Sequence, residues 1–251
     1  MDGLWFFVKN PLSSGKGFFI ISTSMGHLAI IPAAGLGQRM GKGISKQYLE
    51  IGGKPILART LEVFENSPDI DGIYLVVSKD CVGDIQKEWM PRYSKIQKVV
   101  AGGKERQDSV KAGFEALPPC EVVCVHDAVR PFLTQEVLHR VVITAKEQGA
   151  AILGRPIHET VKRVNPQGLV QKTVNRHRLW SIQTPQCFRY EILMEAFKKA
   201  DVDNFRGTDE AMLVEYCGFP VAVIEGDLRN IKITTPFDLK MAENFLKGEF
   251  S

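Results

Sequence analysis

Five short apolar runs, each of strand length and each continuous rather than alternating, decide what this chain can fold into. They are LAIIP at 28–32, IYLVVS at 73–78, VVCVHD at 122–127, AAILGRP at 150–156 and VAVIEG at 221–226. A strand with one wet face alternates polar and apolar residues, so uninterrupted runs belong to strands covered on both faces. The cover lies between them. Ile56, Leu57, Thr60, Leu61, Val63 and Phe64 recur at helical spacing, as do Val137, Leu138, Val141, Val142 and Ala145, and again Ile192, Leu193, Ala196 and Phe197. Strands alternating with helices predict an α/β fold around a mostly parallel, doubly wound, Rossmann-like sheet.

One segment departs from this rhythm. Residues 157–180 hold two polar-apolar alternating stretches around Asn165-Pro166-Gln167-Gly168, and this predicts a protruding β-hairpin arm. A lone hairpin is marginal in water, so the arm is expected to pack on something else, a second copy of the chain being the natural partner. At the other end, residues 1–26 open with an apolar patch from Leu4 to Val8. Asp2 stands where a secretory signal is basic, and Lys9, Asn10, Pro11 and Lys16 break the run. The expectation is a poorly packed N-terminal extension, with Met25 as an alternative start, followed by a single domain over residues 27–251.

Composition removes several classes of function. Lys and Arg total 32 against 29 Asp and Glu, and a net charge of +3 spread evenly predicts no nucleic-acid partner and no membrane surface. No run reaches the ~18–20 apolar residues that span a bilayer. Anionic small molecules remain as partners. The five cysteines, Cys81, Cys120, Cys124, Cys187 and Cys217, have spacings that suit neither a disulfide framework nor a four-cysteine zinc site, so a reducing cytoplasm is the expected location.

Ligand chemistry concentrates in the segment after the first run, AAGLGQRMGKGISKQY at 33–48. Ligands of open α/β sheets bind beyond the carboxyl ends of strands, which is where this segment lies. Ala33, Ala34, Gly35 and Gly37 let backbone N–H groups approach a ligand closely, and Arg39, Lys42 and Lys46 add positive charge. Counting excludes two common phosphate motifs. The third glycine of a dinucleotide fingerprint would fall on Met40. A P-loop would need glycine at Leu36 and a hydroxyl residue at Gly43. The segment is a phosphate cradle of another kind, or a solvated glycine turn.

Two further clusters stand out. VHDAVRPF at 125–132 sets Asp127 at a strand end, where it can hold a metal ion or a substrate hydroxyl, or fix a loop; Arg130 can pair with an anion or brace that loop. His126 reads as a packed histidine, because no other His or Cys stands at metal-ligand spacing. GGKERQDSVKAG at 102–113 puts two glycines before a helix with Ser109 in its early turns, suited to a base edge or ribose, or simply to starting a helix. No Ser-His-Asp or Cys-His arrangement emerges, and no spacing unites Thr160, Arg176, Thr184, Thr208 and Lys232.

Taken in order, AAGLGQRM, SKQY, GGKERQDSV, VHDAVRPF, TVKRV, LWSIQTPQCF, TDEAMLVE and GDLRNIKITTP closely resemble the 2-C-methyl-D-erythritol 4-phosphate cytidylyltransferases, from about Leu28 to Leu246. The resemblance implies a nucleotidyltransferase fold, a homodimer clasped by the hairpin arm, and Mg²⁺-dependent transfer of CMP from CTP to the substrate phosphate. By position it implies that Arg39 and Lys46 stabilise the attacked α-phosphate and that Arg176 and Lys232 position the incoming phosphate. Ala33, Ala34, Gly35, Gly103 and Ser109 match nucleotide-binding positions. Asp127 matches an aspartate near substrate and metal, and Arg130, Thr160, Thr184 and Thr208 match acceptor contacts. Ser45 stands where many members have proline, and Lys104 where many are acidic. The related ribitol 5-phosphate cytidylyltransferases share the loop, the aspartate and the cations; a non-catalytic nucleotide-binding regulator would keep the fold and lose the cations.

Overall fold

Seven strands form one sheet, and the physical reason is visible in how each central strand divides its side chains. In the computed structural model, which describes residues 26–35 and 46–248, β1 (His27–Pro32) sends Ala29 and Ile31 into one core and Leu28 and Ile30 into the other. β4 (Gly72–Val77) does the same with Ile73, Leu75 and Val77 against Tyr74 and Val76. β6 (Val122–Val125) puts Val122 and Cys124 on one side and Val123 and Val125 on the other. Both faces are therefore dry, which is why these runs carry no polar alternation. The helices α1 (Ile56–Glu65), α2 (Val82–Trp89) and α4 (Gln135–Gln148) cover the first face. The second is covered by α3 (Arg106–Glu115), α5 (Tyr190–Val202) and α6 (Glu210–Tyr216).

With β5 (Ile96–Ala101), β7 (Ala150–Pro156), β10 (Trp180–Arg189) and β11 (Ala222–Glu225), the sheet order is β11-β7-β10-β6-β1-β4-β5. All neighbours are parallel except β10, which runs antiparallel to both β6 and β7. The sheet is thus mixed and mostly parallel, and β10 and β5 are strands that the apolar runs did not announce. β10 holds Pro185 after a cis Thr184–Pro185 bond and shifts register between Gln183 and Gln186, and proline within a run argues against a central strand. β5 is an edge strand whose Gln97 and Lys98 are exposed.

From β1 the chain builds outward through β4 to β5 and then returns to place β6 on the opposite side of β1. This reversal opens a crevice at the carboxyl ends of β1 and β6, the place where such sheets bind ligands. Short strands β2 (Glu50–Ile51) and β3 (Lys54–Pro55) and the last helix, α7 (Pro236–Lys247), close one flank through a small cluster of Ile51, Ile56, Val129, Ile233 and Ala242.

The hairpin forms as expected. β8 (Val161–Val164) pairs with β9 (Val170–Val174), and Asn165 Oδ1 accepts from the backbone N–H groups of Gln167 and Leu169 at 3.1 and 2.8 Å to shape the turn. Gly168 sits at φ +80°, a conformation that favours glycine. The arm continues the β7–β10 ladder, which pairs Pro156 with Trp180, and most of its side chains are exposed. The expected extension up to residue 25, and Arg39, lie outside the described residues.

Candidate active site

The crevice is a cleft of about 720 Å³ between the loop after β1, the glycine turn before α3, the end of β6 and the segment before α7. Hydrogen bonds to the sheet and to Gln47 fix its two glycine-bearing edges. The Ala33 N–H donates to Val76 O at 2.6 Å, the Gly102 N–H donates to Val77 O at 2.7 Å, and Gln47 Nε2 donates to Ala33 O at 2.6 Å. Helix α3 then starts with a capping box: Glu105 takes the N–H of Asp108, and Asp108 returns a bond to the Glu105 N–H, so the turn is set by its own residues.

Of the residues singled out in the sequence, Ala33, Ala34, Gly35, Lys46, Gly103, Ser109, Asp127 and Lys232 line this one cleft. Lys79, Lys104 and Arg106 line it too, so among the described residues five cations face two carboxylates, Glu105 and Asp127. A cleft with that surplus attracts polyanions. Lys79, Lys104 and Arg106 were not assigned to the site from sequence. Arg106 belongs to the GGKERQDSV segment, but the partner that explains it, Glu210, is 104 residues away.

Asp127 is the electrostatic centre. It is 6% exposed, and it accepts hydrogen bonds from Arg106 Nε at 3.1 Å, Lys232 Nζ at 2.9 Å and Arg130 Nε at 3.4 Å. Burial alone would raise its pKa; Arg106, Lys232 and Arg130 outweigh that and hold the carboxyl well below the usual range. Arg130 also donates to Asn230 O at 2.7 Å, and burial lowers its pKa despite Asp127. It stands behind the aspartate rather than in the cleft wall.

A second row holds Asp127 from beneath. Its backbone N–H donates to Thr184 Oγ1 at 3.0 Å, and that hydroxyl lies 3.1 Å from His126 Nδ1. His126 Nε2 lies 3.0 Å from Arg130 O, which can only accept, so Nε2 carries the proton and Nδ1 takes the threonine hydrogen. His126 is the packed histidine that the sequence implied. Burial lowers its pKa to about 4, which keeps it neutral. The Thr184 hydroxyl is occupied on both sides. Thr160 and Arg176 sit on the exposed arm, where Arg176 binds His158 O, and Thr208 is exposed beside Met212; none of the three lines the cleft of its own chain.

Among the described residues no cluster of three His, Cys, Asp or Glu side chains can cage a metal ion. Asp127 Oδ1 takes a hydrogen bond from Arg106, and a carboxylate oxygen can accept more than one. A single carboxylate fits Mg²⁺ of the kind whose remaining ligands are substrate phosphates and water.

The architecture and this constellation coincide with one known group. The family profile of 2-C-methyl-D-erythritol 4-phosphate cytidylyltransferases matches residues 27–248. The chain belongs to that family. A 2-C-methyl-D-erythritol 4-phosphate cytidylyltransferase of Geobacter metallireducens is 48% identical over 229 residues, covering 89% of this chain and 98% of the relative. One from Syntrophus aciditrophicus is 47% identical over 227 residues, covering 88% and 96%. Among solved structures, the 4-diphosphocytidyl-2C-methyl-D-erythritol synthase of Anaerococcus prevotii superposes with a TM-score of 0.79 at 33% identity, covering 89% of this chain and 96% of that one. Members of the family are nucleotidyltransferases, and the cationic cleft described above is the feature of this chain that suits such chemistry.

Proposed function

We propose that the protein transfers CMP from CTP to 2-C-methyl-D-erythritol 4-phosphate, giving 4-diphosphocytidyl-2-C-methyl-D-erythritol and pyrophosphate for isoprenoid synthesis by the non-mevalonate route. The observation that carries this reading is the cleft at the sheet's switch point, where five cations among the described residues converge on a volume of about 720 Å³. Both reactants are polyanions, and their repulsion must be screened before a phosphate oxygen of the acceptor can reach the α-phosphorus. The new P–O bond forms as the bond to the leaving pyrophosphate breaks. The attacking oxygen is already anionic, so positioning and charge stabilisation suffice without a protein nucleophile or base.

In this reading Ala33, Ala34, Gly35, Gly103 and Ser109 hold the nucleotide by close backbone approach, and Lys46 with Arg39 stabilises the attacked phosphate. Lys232 holds the incoming phosphate, anchored by Asp127. Mg²⁺ bound to the triphosphate and Asp127 would supply further charge neutralisation. Arg130 and Thr184 hold Asp127 in place. Thr160 and Arg176 are carried by an arm that leaves its own cleft, which supports a homodimer in which each arm serves the other copy. Free cysteines and the lack of a membrane-length apolar helix among the described residues support a cytoplasmic enzyme.

The test is to incubate the purified protein with CTP and Mg²⁺ and either 2-C-methyl-D-erythritol 4-phosphate or ribitol 5-phosphate, following pyrophosphate and the cytidine diphosphate ester. Turnover with the first and not the second is expected. Turnover with ribitol 5-phosphate alone, or with neither, overturns the reading.

A further inference from the structure

Arg106 is held by two carboxylates from two distant parts of the chain. Its Nη1 donates to both oxygens of Glu210 at 2.8 and 2.9 Å, and its Nε donates to Asp127 Oδ1 at 3.1 Å. Glu210 is 1% exposed at the first turn of α6, and its charge has been stripped of water. Burial raises its pKa, and Arg106 is the cation that opposes this. For Arg106 itself, burial opposes the charge but the two carboxylates outweigh it and raise its pKa. Burying such a pair is a poor way to gain stability, since an apolar pair of similar volume usually does as well or better. A structural role alone leaves the arrangement unexplained.

The start of α6 is fixed independently of Arg106. Gln186 of β10 donates to Asp209 Oδ2 at 2.8 Å and accepts from the Ala211 N–H at 3.1 Å, clamping the helix to the sheet on both sides of Glu210. The start of α3 is fixed by its own capping box. Glu210 is therefore a stationary anion, and the guanidinium stretched from α3 to meet it is stationary too. The Asp127 carboxylate, held from behind by Arg130 at Oδ2, is oriented on its other oxygen by Arg106. With Oδ1 committed to Arg106, Oδ2 is turned to Lys232, 2.9 Å away and 39% exposed toward the cleft.

We propose that Glu210 and Arg106 are positioning residues that set the Asp127 carboxylate and, through it, the Lys232 ammonium at the acceptor-phosphate side of the cleft. This rests on the activity proposed above. The planar fork is the necessary feature, because its Nε–H and Nη1–H point at two carboxylates at fixed angles, a geometry that the rotating ammonium of lysine does not impose. Lysine at position 106 keeps the charge and loses the geometry. The capping box holds the backbone of the turn before α3 without Arg106.

The experiment compares wild type, Arg106→Lys, Glu210→Gln and the double variant. It measures kcat and KM for 2-C-methyl-D-erythritol 4-phosphate, the Kd of CTP with Mg²⁺ by calorimetry, and Tm. Wild-type turnover tests the activity; the variants relative to wild type test the brace. Expected are a loss of at least ~10-fold in kcat/KM for the acceptor in each single variant, a CTP Kd within ~2-fold of wild type, and a double variant no worse than the worse single one. Glu210→Gln is nearly isosteric and supplies the answer if Arg106→Lys does not fold. Acceptor kcat/KM within ~3-fold of wild type in a folded variant overturns the proposal. Equal losses for acceptor and CTP, or a fall in Tm alone, also overturn it.

Discussion

The two glycine-bearing edges of the cleft touch at Gly102, and one added methyl group tests whether they bound the nucleotide. A Cβ on Gly102 would fall about 1 Å inside ordinary contact with Ala34 Cβ and would sit 2.8 Å from Ser109 Oγ. Ser109 has a rotatable hydroxyl, but Ala34 has no flexible end to move aside. The loop after β1 must then retreat from the 102–103 turn by about 1 Å. A misplacement of that size in a reacting complex costs on the order of 100-fold, or about 2.7 kcal/mol in barrier. Gly102→Ala is expected to lose that factor in kcat/KM for CTP, read by pyrophosphate release. The strain lies in surface loops, so Tm should fall by no more than ~2–4 °C, the equivalent of about 1 kcal/mol for a chain of this size. Gly83→Ala in α2 is the control. Its Cβ meets nothing within 4 Å, so activity should stay within ~2-fold and stability should hold or rise slightly. If Gly102→Ala keeps wild-type kcat/KM at unchanged Tm, the nucleotide does not lie between these loops.

Three other outcomes follow from the site. Lys46→Ala and Lys232→Ala should each lose at least ~100-fold in kcat with the fold intact, by analogy with deleting one preorganised donor; near-normal turnover in both removes their assigned roles. Thr184→Val leaves the Asp127 N–H and His126 Nδ1 without their shared hydroxyl, which should cost about 1–3 kcal/mol and lower Tm by several degrees. An unchanged melting curve would contradict that network. His126 titrates near 6.5 when unfolded and about 4 when folded, so its neutral burial is free above pH 6.5. Below that the unfolded chain binds the extra proton first and stability falls with pH. Between pH 7 and 5 the loss is about 2 kcal/mol from this group, measurable by urea unfolding, and His126→Gln should flatten the slope across that window.

Legibility in the sequence followed the range of the forces. Strands β1, β4, β6 and β7 and the buried faces of α1 and α4 could be read because a dry environment on both sides leaves continuous apolar runs and clean helical periods. Val137, Leu138, Val141, Val142 and Ala145 are all buried, as their spacing required. The turn of the arm was equally local, since Asn165 and Gly168 shape it with their own backbone and side chain. β10 escaped notice because its pairing is set by β6 and β7 on either side, against the local signal of Pro185. The glycine segments and the resemblance placed Ala33 to Gly35, Lys46, Gly103, Ser109, Asp127 and Lys232 near a ligand without saying how they meet.

By itself the sequence determined that the chain would bury an α/β sheet between two helical layers, with small and basic residues at the carboxyl end of the first strand. It did so because burial and turn chemistry act between neighbours. Only the tertiary structure decided that Asp127 would be gripped by Arg106, Arg130 and Lys232, and that Glu210 would fix Arg106 from 104 residues away. Charge pairing across the cleft depends on distances of a few ångströms between segments that share no local pattern, and the fold alone supplies those distances.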